Sequence, residues 1–509
     1  MPLSRSIFLD NPASAGGPGL ASALRADRTL TVLVVLLTVV LLLRLATLGL
    51  YPLLDPSEAR YAEMARGMAT DGGWVTPWFA TGVPFWGKPP LAFWTQATSM
   101  LVLGINEFAA RLPAWLLHVA TCLMMIRMAK EEGNARAGVL ASVIFSSSLL
   151  GVVASGVVLT DPALNFSTWL ACYGFWRGVA HGDRRGALWG FVGLGLGLLA
   201  KGPLVFLLCG VPAVSWTLVT RRWIAWRHLP WFTGISIVLL IAVPWYVLAE
   251  LHTPGFLDYF FVGEHWNRFL VSNWAGDRYG TAHAQPHGMI WLFLLGALLP
   301  WSLLLPLLYT RRHALARNRD CTLFLAAVAL TTPAFFTLAG NVLWTYALPA
   351  LPAASLLLAH ALCAEAQQPR WHAGLALVFP LGLLVVVADG RLLERGENQR
   401  SVVALWEQRR EGAPDPLYYT PKRSFAGEFY SAGHARTADD AAGLPRQGSF
   451  YVAVKDSRKT AWPWPDGVRC DDVGRTSKTV LYRCSRQERG GLEELALRHA
   501  AIPSSAARN

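Results

Sequence analysis

Residues 29–50 read TLTVLVVLLTVVLLLRLATLGL and decide the fold class of this chain. The run contains a single charged residue, Arg44, and an apolar helix of about 20 residues is long enough to cross a bilayer core of roughly 30 Å. It is longer than the apolar part of a signal peptide and lacks a small-residue cleavage site. We therefore predict a spanning helix that follows a polar tail of residues 1–28.

Similar apolar runs recur as far as residue 389 and then stop. The chain of 509 residues is 53% hydrophobic and 15% charged, whereas soluble globular chains carry about 25% charged residues. We predict an all-α polytopic membrane domain over residues 29–389, followed by a small soluble α/β domain over residues 390–509. A tail of that length is sufficient for one compact domain.

The basic residues predict the orientation of the membrane domain. The net charge is +12, but the basic residues interrupt the apolar runs instead of forming one stripe, so we expect membrane lipids and no nucleic acid as partners. Seventeen basic residues fall on one side of the predicted spans and seven on the other. The richer side is expected to be cytoplasmic, which places the N-terminus inside and the domain after residue 389 outside. The eleven predicted spans are residues 29–50, 108–126, 137–159, 162–178, 187–200, 203–220, 229–249, 288–309, 321–339, 342–362 and 372–389.

Two long outer loops, residues 51–107 and 251–287, carry the unusual polar residues. Asp55 and Glu58 follow the first span directly, and Asp161 lies between two spans that have almost no loop between them. Ionisable groups at a membrane edge are costly to bury and are often functional, so we expect Asp55 and Asp161 to face one cavity. The alternative is that each acid only caps a following helix, with Glu58 completing a capping box beside Asp55.

Three cations in the outer segments are candidate anion ligands. Lys88 and Arg268 lie among aromatic residues in irregular loops, which favours binding of a phosphate. Lys201 lies in a short turn between two apolar helices. Its side chain could bind a phosphate, or it could equally well extend to the lipid headgroups at the membrane surface. The sequence contains no phosphate-binding loop of the Walker type, no nucleophile elbow and no metal-type cluster of cysteine and histidine.

An ordered series of short motifs resembles the GT-C class of polyprenyl-phosphate-dependent glycosyltransferases. The likeness is strongest to the group that contains the lipid A aminoarabinose transferase, with the protein O-mannosyltransferases as more distant relatives. The motifs cover roughly residues 50–355. They are Asp55 with Glu58-Ala59-Arg60-Tyr61-Ala62-Glu63, Lys88-Pro89-Pro90-Leu91, Phe108-Ala109-Ala110-Arg111-Leu112-Pro113, Thr160-Asp161-Pro162, Lys201-Gly202-Pro203, Pro244-Trp245-Tyr246, Gly263-Glu264-His265 with Arg268, and Tyr346-Ala347-Leu348-Pro349.

The resemblance implies a lipid-phosphate sugar donor and an active site at the outer surface of a bacterial inner membrane. It implies catalytic roles for Asp55 and Asp161, phosphate binding by Lys88 and Arg268, and Tyr346 in the substrate cavity. We add Lys201 to the phosphate ligands, and we place Arg60, Tyr61, Glu264 and His265 at the substrate cavity.

The chain departs from the family pattern at two places that bear on these assignments. The usual adjacent Asp-Glu pair is spread out as Asp55-Pro56-Ser57-Glu58, which leaves Glu58 as an alternative catalytic acid. Gly87 stands where an acidic residue often precedes the lysine. No cofactor is firmly implied, and a divalent metal is only weakly supported.

The expected reaction is transfer of the sugar, with inversion, to a lipid or glycan acceptor such as lipid A. The phosphate would bind between Lys88 and Arg268, and Asp55 would deprotonate or orient the acceptor. A polytopic transporter is the rival from another class, but it would show charges near the membrane centre and internal repeats. A non-catalytic envelope assembly protein is the third alternative.

The C-terminal domain contains two of the seven cysteines, Cys470 and Cys484. Residues 468–484 are typical of two short strands joined by a polar turn, which would bring the two cysteines together. A domain outside the cytoplasm lies in an oxidising compartment, where this pair can form a disulfide. The alternative is two free thiols in a cytoplasmic domain.

Overall fold

The structure is a computed structural model that describes residues 27–280, 283–364, 371–389, 398–410, 414–445, 447–456, 464, 467–476 and 478–486. Most of the predicted tail of residues 1–28 therefore lies outside the described residues. The described part is a bundle of helices that ends in a unit built on a β-sheet. Both parts of the predicted fold class, a helical membrane domain and a small α/β domain, are present.

Helices in the described residues coincide with every predicted span. They are α1 (Arg28–Thr47), α4 (Glu107–Glu131), α5 (Ala135–Ser147), α6 (Leu149–Ala154), α7 (Asp161–Ala180), α8 (Arg184–Lys201), α9 (Leu204–Thr220), α11 (Trp231–His252), α14 (Met289–Ala297), α15 (Pro306–Thr310), α17 (Arg319–Phe336), α18 (Leu351–Leu362) and α19 (Trp371–Asp389). The outer loops and short connections contain α2 (Ser57–Asp71), α3 (Leu91–Leu103), α10 (Trp223–Arg227), α12 (Phe256–Asp258), α13 (Arg268–Leu270) and α16 (Arg312–Leu315).

The number of spans is not confirmed as eleven. Six helical segments in the described residues are long and apolar enough to cross a membrane, or seven when one bent pair is taken as a single span. The predicted span 137–159 is interrupted at Ser148, and the predicted span 288–309 bends by 100° between its two helical parts. Hydropathy detects the apolar composition of such segments, but it does not reveal where the helix breaks.

Two local features show how the bundle packs. Arg44, which lies inside α1, is buried and donates to the backbone oxygens of Val152, at 2.8 Å, and Gly156, at 2.6 Å. Glycines bring α7 and α8 together, because a Cβ atom on Gly174 would lie 2.3 Å from the backbone nitrogen of Gly190. The glycine-rich run of residues 186–202 therefore serves close helix packing.

The C-terminal unit is a five-stranded sheet with helices packed against it. Its elements are α20 (Gln399–Arg410), β3 (Leu417–Thr420), α21 (Phe425–Tyr430), β4 (Arg436–Thr437), β5 (Ser449–Lys455), β6 (Val468–Arg475) and β7 (Thr479–Arg486), while β1 (Trp78–Ala80) and β2 (Val83–Pro84) form a separate ribbon in the first outer loop. The strand order is β4-β3-β5-β7-β6, with β3 parallel to both of its neighbours. Strands β6 and β7 form the predicted hairpin, in which Cys470 pairs with Cys484 and a disulfide joins them.

This unit packs directly on the first outer loop. Helix α21 lies against α2, with Phe425 and Phe429 in one apolar cluster with Met64. The Tyr430 hydroxyl accepts from the backbone N–H of Leu53 at 2.8 Å, and Arg423 donates to the backbone oxygen of Phe79 at 2.6 Å. Residues 51–107 and the C-terminal unit therefore lie on the same side of the membrane, whatever the number of spans.

Candidate active site

Lys88 and Arg268 converge on one carboxylate. The Nζ atom of Lys88 lies 2.9 Å from Oε2 of Glu264, and Nη1 of Arg268 lies 3.1 Å from the same oxygen. The Glu264 side chain is only 4% exposed. Lys88 thus shares with Arg268 a buried oxyanion that lies 176 residues further along the chain than Lys88.

Local structure sets the positions of these groups. Lys88 precedes Pro89 and Pro90, which fix the backbone just before α3 begins at Leu91. Glu264 lies in a π-helical stretch, Tyr259–Asn267, and Arg268 follows in the next turn, so their i,i+4 spacing aligns the two side chains. Wide helical turns of this kind are frequent at functional sites.

Lys201 belongs to the same cavity, but its partner is different. Its Nζ atom lies 2.7 Å from Oδ1 of Asp161 and 4.6 Å from the centre of the Tyr346 ring. Lys201 is 7% exposed and points into the protein, so the alternative that it reaches lipid headgroups is wrong. The His265 ring joins the two parts of the site, because its nitrogens lie 2.8 Å from the backbone oxygen of Phe260 and 3.1 Å from that of Lys201.

These residues enclose a cavity of about 100 Å³, which we call the cation cavity. Its polar lining is contributed by the outer loops, the end of α8 and the segment between α17 and α18, and its apolar lining by phenylalanines and a leucine. The lining residues are Lys88, Lys201, Leu204, Glu264, His265, Arg268, Phe269, Phe335, Phe336, Asn341 and Tyr346.

The electrostatics of the outer loops favour a bound anion. Burial alone would raise the pKa of Glu264, but the charges of Lys88 and Arg268 hold that pKa below its usual range. Burial likewise opposes the charged form of Arg268, yet the neighbouring Tyr346, Glu264 and Asp277 raise its pKa. Glu264 is thus ionised and Arg268 is charged, and Lys88 and Arg268 lie around the same carboxylate oxygen, with Asp277 a further 3.5 Å partner of Arg268.

Glu58 is a structural residue in this fold. Its carboxylate accepts from Nε of Arg111 at 2.8 Å and from Nη2 at 3.0 Å, and Arg111 is fully buried. It also accepts from the backbone N–H groups of Leu54 and Val158. These four contacts bind the Glu58 carboxylate to neighbouring segments, which favours a structural role, and the alternative that Glu58 is the catalytic acid stays a prediction.

Asp55 faces the C-terminal unit. Its carboxylate accepts from the Ser424 hydroxyl at 2.7 Å and from the backbone N–H of Ala426 at 3.0 Å. It therefore holds the first turn of α21, whereas α2 begins at Ser57 without a capping side chain. The capping alternative proposed for Asp55 assigned it to the wrong helix.

The expectation that Asp55 and Asp161 face one cavity is wrong. Asp161 is the first residue of α7 and pairs with Lys201, which lines the cation cavity. Asp55 lines a different cavity, formed by the first outer loop and the C-terminal unit. The packing of α21 on α2 draws the Asp55 carboxylate away from the membrane domain.

Arg60 and Tyr61 do not line the cation cavity in the described structure. Arg60 donates to the backbone oxygen of Tyr279, and the Tyr61 ring packs against the rings of Phe85 and Phe93 at 6.1 and 5.6 Å. Tyr61 therefore supports the loop that carries Lys88, and Arg60 supports the second outer loop at Tyr279. Their place at the substrate cavity stays a prediction.

Sequence reasoning missed Asn341. Its amide donates to the backbone oxygens of Arg268, at 2.6 Å, and Val271, at 2.7 Å, and it lines the cation cavity. The feature of the sequence that could have identified it is the Gly340-Asn341 pair between two apolar helices. The predicted spans treated these two residues only as a connection. Among the described residues, no group of three or more histidine, cysteine, aspartate or glutamate side chains is placed to hold a metal.

Comparisons with known proteins agree with the expected resemblance. Residues 29–260 match the family described as dolichyl-phosphate-mannose-protein mannosyltransferase. The undecaprenyl phosphate-α-4-amino-4-deoxy-L-arabinose arabinosyl transferase of Pseudomonas aeruginosa is 31% identical over 315 residues, which are 60% of this chain and 55% of the relative. The same transferase of Pseudomonas savastanoi is 33% identical over 371 residues, which are 69% of this chain and 66% of the relative. The chain thus spans little more than half the length of the first of these relatives.

A solved structure shares the fold. It is ArnT from Cupriavidus metallidurans bound to undecaprenyl phosphate, with a TM-score of 0.70 and 20% identity. The match covers 88% of this chain and 97% of that structure, so it includes both the helical bundle and the C-terminal unit. The chain is therefore similar in sequence to these transferases and shares the fold of the solved ArnT structure.

Proposed function

We propose that this protein transfers a sugar from a polyprenyl-phosphate carrier to an envelope acceptor at the outer face of the bacterial inner membrane. The observation that carries the proposal is the convergence of Lys88 and Arg268 on the buried Glu264 carboxylate. A phosphate has the same sign of charge as that carboxylate and forms the same kind of charge-assisted hydrogen bonds with lysine and arginine. The similar transferases are named for an undecaprenyl phosphate-linked donor, which is the ligand class that such a site suits.

The cation cavity supplies the chemistry of the leaving group. The donor phosphate binds Lys88 and Arg268, and Glu264 gives up part of its contact with these cations. The bond between the anomeric carbon and the phosphate oxygen then breaks, and the growing negative charge of the phosphate is stabilised in a site already organised around an anion. The bond from the acceptor oxygen to the anomeric carbon forms on the opposite face, so the reaction inverts the anomeric centre.

The acceptor is a lipid or glycan of the envelope, and lipid A is the first candidate. An acceptor hydroxyl must lose its proton, whereas an acceptor phosphate is already ionised and needs no base. Because Asp55 is bound by Ser424 and Ala426, we assign it to orienting the acceptor. Asp161, paired with Lys201, keeps that lysine directed into the cation cavity.

The proposed orientation has the N-terminus in the cytoplasm and residues 390–509 in the periplasm. The excess of basic residues on one side of the bundle supports it. The packing of α21 on the first outer loop adds that the C-terminal unit lies on the same side as that loop, so the two share whichever compartment the basic residues assign to the loop. Residues 29–389 form the catalytic membrane domain in this scheme.

A transporter remains the rival function, and the position of the charges distinguishes the two. Transporters place coupling charges near the middle of the membrane. The ion pairs of the cation cavity instead involve outer loops and the outer end of α8. A non-catalytic assembly protein would tolerate loss of Lys88 or Arg268 without loss of sugar transfer.

Binding of undecaprenyl phosphate to the purified protein tests the donor site. We expect Lys88→Ala and Arg268→Ala each to weaken binding by about ten- to a hundred-fold, the effect of losing a hydrogen bond between charged groups. Lys201→Ala should weaken it less, because its charge is already paired with Asp161. Arg278→Ala is the matched control, since Arg278 belongs to the same loop but stacks on the ring of Trp86.

Equal affinity in the wild type, Lys88→Ala and Arg268→Ala would end the phosphate assignment. Mass spectrometry of envelope lipids and glycans, with and without the gene, completes the test. A mass difference of one sugar identifies both the group transferred and the acceptor, and identical spectra would contradict the proposed transfer.

A further inference from the structure

The lysine and arginine side chains that line the cation cavity are all paired with carboxylates in the described structure. The positive charges are therefore matched by negative ones before an anion enters. His265, which also lines the cavity, adds no charge at neutral pH, because burial lowers its pKa. The pairs are Lys88 with Glu264 at 2.9 Å, Arg268 with Glu264 at 3.1 Å and with Asp277 at 3.5 Å, and Lys201 with Asp161 at 2.7 Å.

Glu264 is the carboxylate that occupies the position between the two cations of the proposed donor site. Nη1 of Arg268 contacts both of its oxygens, at 3.2 and 3.1 Å, and the Tyr259 hydroxyl lies 3.4 Å from Oε1. Because the Glu264 side chain is only 4% exposed, its charge is poorly screened by water. A phosphate that binds Lys88 and Arg268 therefore lies close to a carboxylate that repels it.

The strength of this repulsion depends on the charge of the carrier phosphate, which changes during the proposed reaction. A polyprenyl-phosphate sugar is a phosphodiester with one negative charge. When the bond between the anomeric carbon and the phosphate oxygen breaks, the electron pair stays on that oxygen and the carbon bonds to the acceptor oxygen, whose proton, where it has one, goes to solvent. The carrier leaves as a phosphomonoester, which has a second pKa of about 6 and is mainly a dianion at pH 8.

The repulsion between two charges is proportional to their product. Glu264 therefore disfavours the dianionic product about twice as strongly, in free energy, as it disfavours the monoanionic donor. We infer that Glu264 makes the cation cavity selective for the phosphodiester donor over the phosphomonoester product, and so promotes release of the spent carrier. This inference rests on the proposed function, because it requires the carrier phosphate to bind between Lys88 and Arg268.

Binding of two lipids that differ by one charge tests the selectivity. The full-length protein is reconstituted in phosphatidylcholine nanodiscs at pH 8, and its affinities for undecaprenyl phosphate and for undecaprenyl methyl phosphate, a diester, are measured. Glu264→Gln keeps the size of the side chain and one oxygen acceptor but removes the charge. We expect it to tighten binding of the diester about three-fold and binding of the monoester about ten-fold, because the logarithm of the gain is proportional to the ligand charge.

Two other variants separate a local charge effect from a general one. Asp258→Asn is the matched control, because Asp258 lies in the same outer loop but is exposed and does not line the cation cavity. It should change either affinity less than two-fold. Asp277→Asn removes the second carboxylate beside Arg268 and should also favour the monoester more than the diester, by a smaller factor than Glu264→Gln. If Glu264→Gln does not fold, the comparison with Asp277→Asn decides the test.

The outcomes distinguish this inference from the proposed donor site. If the wild type binds neither lipid, or if Lys88→Ala and Arg268→Ala bind both lipids as the wild type does, the donor site fails and the inference fails with it. If those two variants lose affinity but Glu264→Gln changes the affinities for the two lipids by the same factor, or weakens both, the donor site stands and the inference is overturned. A gain for the monoester that is about the square of the gain for the diester supports it.

Discussion

Replacement of Glu58 by glutamine distinguishes a structural carboxylate from a catalytic one. Arg111 is fully buried and directs two of its hydrogen bonds to Glu58 and the others to the backbone oxygens of Leu48, Tyr51 and Pro52. Glu58→Gln leaves the arginine hydrogen-bonded but removes its counter-charge. Loss of one partner of a buried ion pair costs about 3–5 kcal/mol. We expect the lower end, about 3 kcal/mol, because glutamine keeps one oxygen acceptor.

The assay is thermal unfolding of the purified protein in detergent, followed by tryptophan fluorescence, together with sugar transfer per folded molecule. Glu58→Gln should unfold at a clearly lower temperature and keep its transfer rate at temperatures where it remains folded. Glu407→Gln is the control, since its ion pair with Arg410 involves a carboxylate that is 47% exposed and should contribute less than about 1 kcal/mol. If Glu58→Gln unfolds at the wild-type temperature but no longer transfers sugar, the structural role is refuted.

Three further predictions follow from the geometry. Asp55→Asn should lower the rate of sugar transfer about ten-fold or more, because the acceptor loses its orientation. It should leave the affinity for undecaprenyl phosphate unchanged, because Asp55 lies outside the cation cavity, and weaker donor binding would contradict this. Alkylation and peptide mapping should find Cys470 and Cys484 blocked until a reductant is added, and the bridge should contribute about 3 kcal/mol; free thiols in protein taken directly from cells would count against both the bridge and a periplasmic domain. Because the pKa of folded Glu264 lies below its ordinary value of 4.5, its ion pairs contribute fully above that pH and are lost as the pH falls below it. The protection factors of the amides in residues 259–270, which are exchange rates corrected for the intrinsic pH dependence of amide exchange, should therefore fall only on strong acidification. A fall confined to pH above 6 would contradict the assignment.

The helices of the membrane domain could be predicted from the sequence because bilayer thickness imposes a length on every apolar run. The breaks within these helices could not be predicted, because they depend on contacts between distant segments, which hydropathy does not report. Leu149, for example, donates its N–H to the backbone oxygen of Leu299, so the break after α5 is stabilised by a segment 150 residues away. An interrupted helix and a continuous one have the same mean hydropathy, and for this reason the predicted count of eleven spans is not confirmed.

The sequence identified the charged residues of the cation cavity but not their partners. Lys88 and Arg268 were recognisable because arginine and lysine in irregular outer loops suit the recognition of a phosphate. Their common partner Glu264 was assigned only to the substrate cavity, since its i,i+4 relation to Arg268 depends on a helical turn that a loop prediction omits. Lys201 and Asp161 are 40 residues apart in sequence, and only the packing of α7 on α8 brings them within 2.7 Å.

Asp55 shows most clearly what local sequence leaves out. Its neighbours, Pro56 and Glu58, are equally compatible with a helix cap and with an acid at a membrane edge. Its actual partners, Ser424 and Ala426, lie 369 and 371 residues further along the chain, and no local pattern connects them. The same contacts make the C-terminal domain part of the environment of Asp55. A variant that weakens the packing of α21 on α2 should therefore slow transfer to the acceptor and leave donor binding in the cation cavity unchanged. This result is expected only if the membrane domain and the C-terminal unit form one site together.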